Sequence, residues 1–245
     1  MASSMNFGEF SRSQISDVPA DLTTPRALHY KQTIPRFPEE AVYIYSFHEG
    51  RMIYADGWEE VLGYRDEEIS MLLIVNSSTP AFAPFSNELN DKALQFILSK
   101  NEDLDKYSFS IELKKTHKQG HEVPIVARVG VYEAVQGRVV SIIGRFLVNR
   151  SITFGKVMRY AAYGPEKQEF EEELNKSLFY HLAISDKERE ALALAAGGYS
   201  FKKIAKQLKI SVSAVEKRIN PLYERFKVEN IAHLVSFAKD NHILS

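Results

Sequence analysis

The stretch that decides the fold is residues 185–228, SDKEREALALAAGGYSFKKIAKQLKISVSAVEKRINPLYERFKV. It begins with Ser185 and places Glu188 three residues later, which is the form of a capping box at the start of a helix. Gly197 and Gly198 predict the end of that helix, because glycine readily adopts the backbone conformation that follows a helical C-terminus. The pattern therefore predicts a short first helix with its own start and stop.

Two more helices are predicted after this one, joined by a short turn. Ser200 can cap the second helix and Ser211 the third, and Lys209-Ile210 leads into the turn between them. Apolar residues recur at spacings of three and four in both helices, as on the buried face of an amphipathic helix. They are Phe201, Ile204, Ala205 and Leu208 in the second helix, and Val215, Ile219, Leu222 and Phe226 in the third. Two short helices joined in this way match a helix-turn-helix.

A fourth helix completes the predicted all-α domain, which spans residues 184–245. Asn230 can cap it, with Ile231, Leu234, Val235 and Ala238 turned inward. Pro221 conflicts with the pattern of the third helix, because an interior proline loses a hydrogen bond, clashes with the preceding turn and typically costs about 3 kcal/mol. The third helix is therefore expected to bend at Pro221 or to be shorter than its pattern.

The residue types on the exposed faces suit DNA. In a helix-turn-helix the second helix of the pair lies in the major groove and meets base edges, while the preceding helix crosses the phosphates. Small residues and donors are needed early in the groove helix, which makes Ser213, Ala214, Lys217 and Arg218 the base-edge candidates. The phosphate candidates are Lys202, Lys203, Lys206, Ser211 and Arg225. Phosphate contacts supply affinity, and base-edge contacts supply discrimination.

The same residues resemble the LuxR-type helix-turn-helix family along the whole of the predicted domain. The matching features are Glu190 in the first helix, Gly198-Tyr199-Ser200, Ile204-Ala205 with Leu208, Ala214-Val215, and Arg225-Phe226-Lys227-Val228. The resemblance implies a DNA-binding dimer in which Lys217 and Arg218 occupy positions that usually meet DNA. The chain departs from the family at Pro221 and at Lys227, where glycine is common. Glu216 puts a negative charge on the DNA-facing side, although glutamate can accept from cytosine N4.

Charge separates this C-terminal part from the rest of the chain. The net charge of the 245 residues is only -1. From Ser185 onward there are 11 Lys+Arg against 7 Asp+Glu, whereas the preceding residues hold 20 against 25. The asymmetry favours an anionic partner for the C-terminal part.

The preceding residues predict a β-rich domain over residues 39–150, after a loose arm at 1–38 with one short helix. Strands are predicted at 41–47, 52–55, 107–114, 123–133 and 139–148, with helices near 58–63 and 92–99. Residues 151–183 form a helical connector, in which Phe170, Leu174 and Leu178 recur every four residues. This apolar stripe can pack on the chain's own domain or on a partner helix.

Residues 39–150 resemble a PAS domain. The clearest match is Ile53-Tyr54-Ala55-Asp56-Gly57-Trp58-Glu59-Glu60-Val61-Leu62-Gly63-Tyr64, followed by acidic residues and, later, by Lys118-Gln119-Gly120-His121. The resemblance implies a small pocket or a docking surface. No cofactor is predicted, because flavin photoreceptor versions need a cysteine and the chain has none. Haem with an axial histidine, a small organic ligand, and a pocket filled by the chain's own aromatic side chains are the alternatives. No residue set has metal-ligand spacing.

The expected protein is α+β: a PAS-like antiparallel sheet with helices, then the all-α helix-turn-helix domain. It is expected to act as a sequence-specific transcription regulator, to form a homodimer on double-stranded DNA, and to receive a small-molecule or protein signal at the PAS-like domain. No nucleophile elbow, phosphate loop or metal-spaced cluster indicates an enzyme. No apolar run predicts a membrane span, and a cytoplasmic location is expected. The alternative function is a signalling or scaffold protein whose C-terminal helices dock protein.

Overall fold

The computed structural model describes residues 8–151, 159–178, 185–226, 228–240 and 243–244. These residues fall into two compact units, which divide near Leu174. No helix among them is long and apolar enough to cross a membrane. Phe170, the first residue of the apolar stripe predicted in the connector, is buried. The side chains of Leu174 and Leu178, and the whole of Lys227, lie outside the described residues.

The first unit is built on one sheet. In its described part the strands are β1 (Glu40–Ser46), β2 (Arg51–Asp56), β3 (Ser108–Thr116), β4 (Glu122–Val135), β5 (Arg138–Val148) and β6 (Arg159–Tyr163). Their order in space is β2-β1-β5-β4-β3-β6, and β1 to β5 pair in antiparallel fashion. The strand predicted at 107–114 is confirmed as β3, which is buried on one face, because Phe109, Ile111 and Leu113 are buried and the residues between them are not.

Helices cover both faces of this sheet. Those before the second unit are α1 (Glu9–Gln14), α2 (Pro25–Thr33), α3 (Trp58–Leu62), α4 (Met71–Asn76), α5 (Ala83–Leu98) and α6 (Lys167–Leu178). The predicted helix near 58–63 is confirmed as α3, where the buried Trp58 indole donates to the Val42 carbonyl at 3.0 Å. The second predicted helix begins earlier than expected, at Ala83. Pro84 lies in its first turn, where a missing N–H costs nothing.

From residue 8 onward the N-terminal arm is not loose, which corrects the prediction for that part of residues 1–38. In its described part, helix α1 docks on α5, because the Asp91 carboxylate accepts from the backbone N–H groups of Phe10 at 3.1 Å and Ser11 at 2.7 Å. Helix α2 packs on the outer sheet face, where Tyr30 joins a buried cluster with Val42, Ile44, Ile53 and Tyr54. The partners in these contacts are distant in sequence from the arm, so the polar sequence of the arm itself did not predict them.

The connector also differs from its prediction as a helical segment. It contains strand β6, which extends the sheet beside β3, before helix α6 begins. The Tyr163 ring lies under the Arg128 guanidinium, 4.3 Å from ring centroid to carbon, which fastens the strand to the sheet. The Phe170 ring of α6 stacks on Phe96 of α5, with 4.5 Å between the ring centroids.

In the second unit the described residues form α7 (Asp186–Ala196), α8 (Phe201–Leu208), α9 (Val212–Phe226) and α10 (Ile231–Asp240). Its core holds the predicted inward residues of α9, Val215, Ile219, Leu222 and Phe226, each fully buried. The capping box of Ser185 and Glu188 is confirmed. Of the two outcomes expected at Pro221, a bend or a shorter helix, shortening does not occur, because α9 continues to Phe226 with Pro221 exposed in it. The predicted α+β architecture, a sheet domain with helices before an all-α four-helix domain, is confirmed.

Candidate nucleic-acid interface

The turn between α8 and α9 sets the angle between these two helices. Lys209 adopts a left-handed backbone with φ of 55°, which ends α8, and the next N–H, of Ile210, donates to the Ala205 carbonyl at 3.0 Å. Ser211 then caps α9 by accepting from the Ala214 N–H at 3.1 Å. Ser200 stands at the N-cap of α8 but makes no side-chain hydrogen bond there, so its predicted capping role is not observed. The turn therefore relies on Lys209 and Ser211.

One face of α9 is open and polar. It forms a shallow depression lined by Ser213, Glu216, Lys217, Asn220, Pro221 and Glu224. These residues recur at spacings of three and four, which places them on one side of the helix, opposite the buried core residues. Of the predicted base-edge residues, Ser213 and Lys217 lie on this face and are exposed, while Ala214 is half-buried at its edge.

Arg218 does not share this face. Its guanidinium turns towards α7, where one nitrogen lies 3.3 Å from the Lys187 carbonyl oxygen and 3.4 Å from the Glu190 carboxylate. Its side chain is only 19% exposed. Arg225, a predicted phosphate contact, likewise donates to Glu188 of α7 at 3.3 Å.

Glu188 is held as a carboxylate at this junction. Burial opposes its ionisation, but hydrogen bonds from the Ser185 N–H and hydroxyl and the nearby Arg225 outweigh burial, so the pKa of Glu188 is lowered. The two arginines thus help to bind α9 to α7.

Three exposed lysines stand on the helix before the turn. Lys202, Lys203 and Lys206 of α8 are all solvent-exposed. Lys203 lies 4.7 Å from the centroid of the Tyr199 ring, which holds its stem against the surface. The structure thus presents cations on α8 and hydrogen-bonding groups on α9.

Residues 182–238 match the sequence model of the bacterial regulatory proteins of the luxR family. The second unit is a LuxR-type helix-turn-helix domain. No protein in the curated set matches the chain.

Solved structures resemble the chain only distantly. The VqmA dimer of Vibrio cholerae, described as a LuxR-type receptor, is 15% identical, with a TM-score of 0.38, and the match covers 89% of this chain and 87% of that one. A phage VqmA in complex with DPO is 14% identical over 86% and 85%, with a TM-score of 0.39. A PAS domain from Colwellia psychrerythraea is 15% identical over 51% and 98%, with a TM-score of 0.39.

The interpretation of the C-terminal domain from sequence, as a LuxR-type helix-turn-helix domain, is confirmed. Four residues that the structure places on the open face were not among the candidates: Glu216, which the sequence had placed on the DNA-facing side, and Asn220, Pro221 and Glu224. The helical repeat could have found them, since Asn220 lies three residues beyond Lys217 whereas Arg218 is rotated about 100° from Lys217.

The PAS-like unit contains a second candidate site, a cavity of about 80 Å³ between the inner sheet face and helices α4 and α5. Its walls are mostly apolar. The lining residues include Ser11 and Ile15 of the arm, Asn90, Leu94 and Ile97 of α5, and Lys115 of β3. His117 and His121 stack on each other at the β3–β4 turn, with 4.2 Å between centroids, and neither lines this cavity.

Lys115 is the charged group of the cavity. It is 2% exposed, and its ammonium donates to the Ile74 carbonyl and, at 2.9 Å, to the Ser78 hydroxyl. Burial lowers the pKa of Lys115 to about 7, because the charged form loses its hydration. An ammonium group has three donors, of which these bonds use two, and the same nitrogen lies 5.8 Å from the centroid of the Phe146 ring.

Proposed function

We propose that this chain is a sequence-specific DNA-binding transcription regulator. The observation that carries the proposal is the open polar face of α9 beside the exposed lysines of α8, within a LuxR-type domain. Helix α9 would enter the major groove with Lys217 at base edges. Lys202, Lys203 and Lys206, with Ser211 at the helix start, would contact phosphates, while Arg225 contributes through its tie to α7.

The active species on DNA would be a homodimer. One recognition helix reads only a few base pairs, and pairing two of them on half-sites about 34 Å apart multiplies discrimination. The bound duplex is therefore expected to contain an inverted repeat.

Replacing Lys217 with alanine tests this function. The full chain is used to select duplexes from a random pool, and the affinity of each variant for the enriched sequence is then measured. Lys217→Ala should weaken binding about tenfold or more, because a lysine contact to guanine contributes about 1–3 kcal/mol of discrimination. Lys239→Ala, which removes an exposed lysine from α10, should change affinity little. If wild type enriches no sequence, the domain does not read DNA and a protein-docking role becomes the better account.

The PAS-like unit would sense a small molecule in its cavity. An engineered apolar cavity of about 150 Å³ binds benzene, so a cavity of about 80 Å³ must expand to hold a ring. The strands are fixed by their neighbours in the sheet, which leaves the arm, α4 and α5 as the walls that can move. Cavity occupancy would therefore shift these elements, α5 among them.

Helix α5 would carry that change to the connector. Its C-terminal end holds α6 through the stack of Phe96 on Phe170. The Lys100 ammonium, which donates to Glu166 and lies 4.3 Å from the Phe96 ring centroid, adds a second tie. A shift of α5 would alter these contacts and so the population of DNA-competent dimers.

The buried Lys115 would determine which molecules bind in the cavity. The signal would be a small, mostly apolar molecule that carries an anionic group or a hydrogen-bond acceptor. Millimolar benzoate should raise the melting temperature of the full chain at pH 7 more than benzyl alcohol does, because only benzoate pairs with the Lys115 ammonium. In Lys115→Met the advantage of benzoate should disappear. Equal responses to both probes in wild type would contradict the role given to Lys115.

A further inference from the structure

The recognition helix carries two arginines that are occupied within the domain. Arg218 and Arg225 both turn to α7, where they meet Glu190 and Glu188. Arginine bidentate to guanine is the commonest specific contact in the major groove. With both arginines directed to α7, base reading falls to the other side chains of α9.

The side chains that remain have an unusual charge for a DNA-facing surface. The open face presents Ser213, Glu216, Lys217 and Asn220 over its first two turns, and all four are exposed. A carboxylate near phosphates is repelled by them, so Glu216 weakens non-specific binding. Because Glu216 weakens non-specific binding, its presence on this face suits a role in which its carboxylate oxygens accept a hydrogen bond from a base.

We propose that Glu216 and Asn220 are specificity-determining residues, which read a C·G pair and an A·T pair of the half-site on either side of the base met by Lys217. The proposal rests on the function proposed above. In the major groove, cytosine presents its N4 amino group, which a carboxylate accepts. Adenine presents N7 and N6, which an asparagine amide pairs with in bidentate fashion.

The length of the face supports this division. Ser213 and Asn220 are seven residues apart, which is about 10 Å along the helix axis at 1.5 Å per residue. The N-terminal residues of a recognition helix meet base edges, and this span covers the first part of α9 (Val212–Phe226). Glu224 lies eleven residues from Ser213, about 16 Å along the axis, in the last turn of the helix and away from that end. Glu224 thus bears the same charge on the same face without access to bases.

The experiment compares base preferences of full-length variants. Wild type, Glu216→Gln, Asn220→Ala and Glu224→Gln each select duplexes from one random pool, and affinities are then measured on single base-pair substitutions of the wild-type sequence. Each position is exposed, so the variants should keep the wild-type melting temperature, which is checked first.

Wild type should prefer C·G at one position and A·T at another by about tenfold or more. In Glu216→Gln the C·G preference should be lost or replaced by A·T, because glutamine pairs with adenine. Binding to unrelated duplexes should strengthen, because a negative charge has gone. Asn220→Ala should lose only the A·T preference. Glu224→Gln should strengthen binding to unrelated duplexes but leave every base preference unchanged.

Two results would overturn the proposal in distinguishable ways. If wild type enriches no sequence, the DNA-binding function fails and the inference fails with it. If wild type enriches a sequence but Glu216→Gln and Asn220→Ala keep all its base preferences, the function stands and this inference alone is wrong. Arg218→Ala provides a further check, since it should leave the two preferences in place.

Discussion

Replacing Lys115 with methionine is expected to stabilise the protein at pH 7 and to remove a large pH dependence of its stability. The pKa of Lys115 is lowered by burial to about 7 in the folded chain, against an ordinary value near 10.5 in the unfolded chain. Between these two values the unfolded chain binds more protons, so the free energy of unfolding rises with pH. At about 1.4 kcal/mol per pH unit, the rise from pH 7 to 9.5 is about 3 kcal/mol.

Denaturant unfolding of wild type and Lys115→Met across pH 6–9.5 measures how the free energy of unfolding depends on pH. Wild type should gain stability above pH 7, where Lys115 becomes neutral in the folded chain only, and the variant should lack that gain. Lys114→Met is the matched control, because Lys114 is the preceding residue of β3 and forms a surface ion pair with Glu122 at 2.8 Å. Its pH profile should follow that of wild type. Parallel profiles for wild type and Lys115→Met would show that burial does not lower the pKa of Lys115.

Replacing Phe226 with alanine is expected to unfold the DNA-binding unit and to abolish DNA binding at every salt concentration. Phe226 is fully buried and stacks on Phe237 of α10, with 4.9 Å between ring centroids. Truncating a buried phenylalanine costs about 3–5 kcal/mol. A helical unit of this size has little stability to lose, since small domains bury a smaller fraction of their surface.

Amide hydrogen exchange on the full chain separates this outcome from a local change. Protection should disappear throughout α7 to α10 in Phe226→Ala, while strands β1 to β5 keep theirs. Glu224→Ala, two residues earlier on the exposed side of the same helix, should keep both protection and stability within about 0.5 kcal/mol. Retained protection in α9 of Phe226→Ala would mean that the core is not organised around this residue.

Local patterns predicted the second unit well because its determinants are local. Capping residues lie within three residues of the N–H groups that they satisfy, as Ser185, Ser211 and Asn230 do. The apolar spacing of α9 likewise specifies its buried face without reference to the rest of the chain. The open face followed from the same repeat, but the turn of Arg218 towards α7 depends on Glu190, which lies 28 residues earlier.

The first unit was harder to predict because its arm and connector are held by distant partners. Helix α1 depends on Asp91, 80 residues from Ser11. Strand β6 lies beside β3, which ends 43 residues before β6 begins. Lys115, by contrast, left a signal in the sequence, since it continues the inward alternation of Phe109, Ile111 and Leu113. A lysine at an inward-facing position of a strand indicates a buried polar site.

The salt dependence of DNA binding tests the central claim most directly. The affinity of the full chain for its selected duplex is measured from low to moderate salt, beside a variant in which Lys202, Lys203 and Lys206 are replaced with glutamine. The account predicts a steep linear fall of log affinity with log salt, and a slope about 2–3 smaller in the variant, because each phosphate contact contributes about 0.9. Affinity that hardly changes with salt, or an unchanged slope in the variant, would contradict DNA binding through this interface.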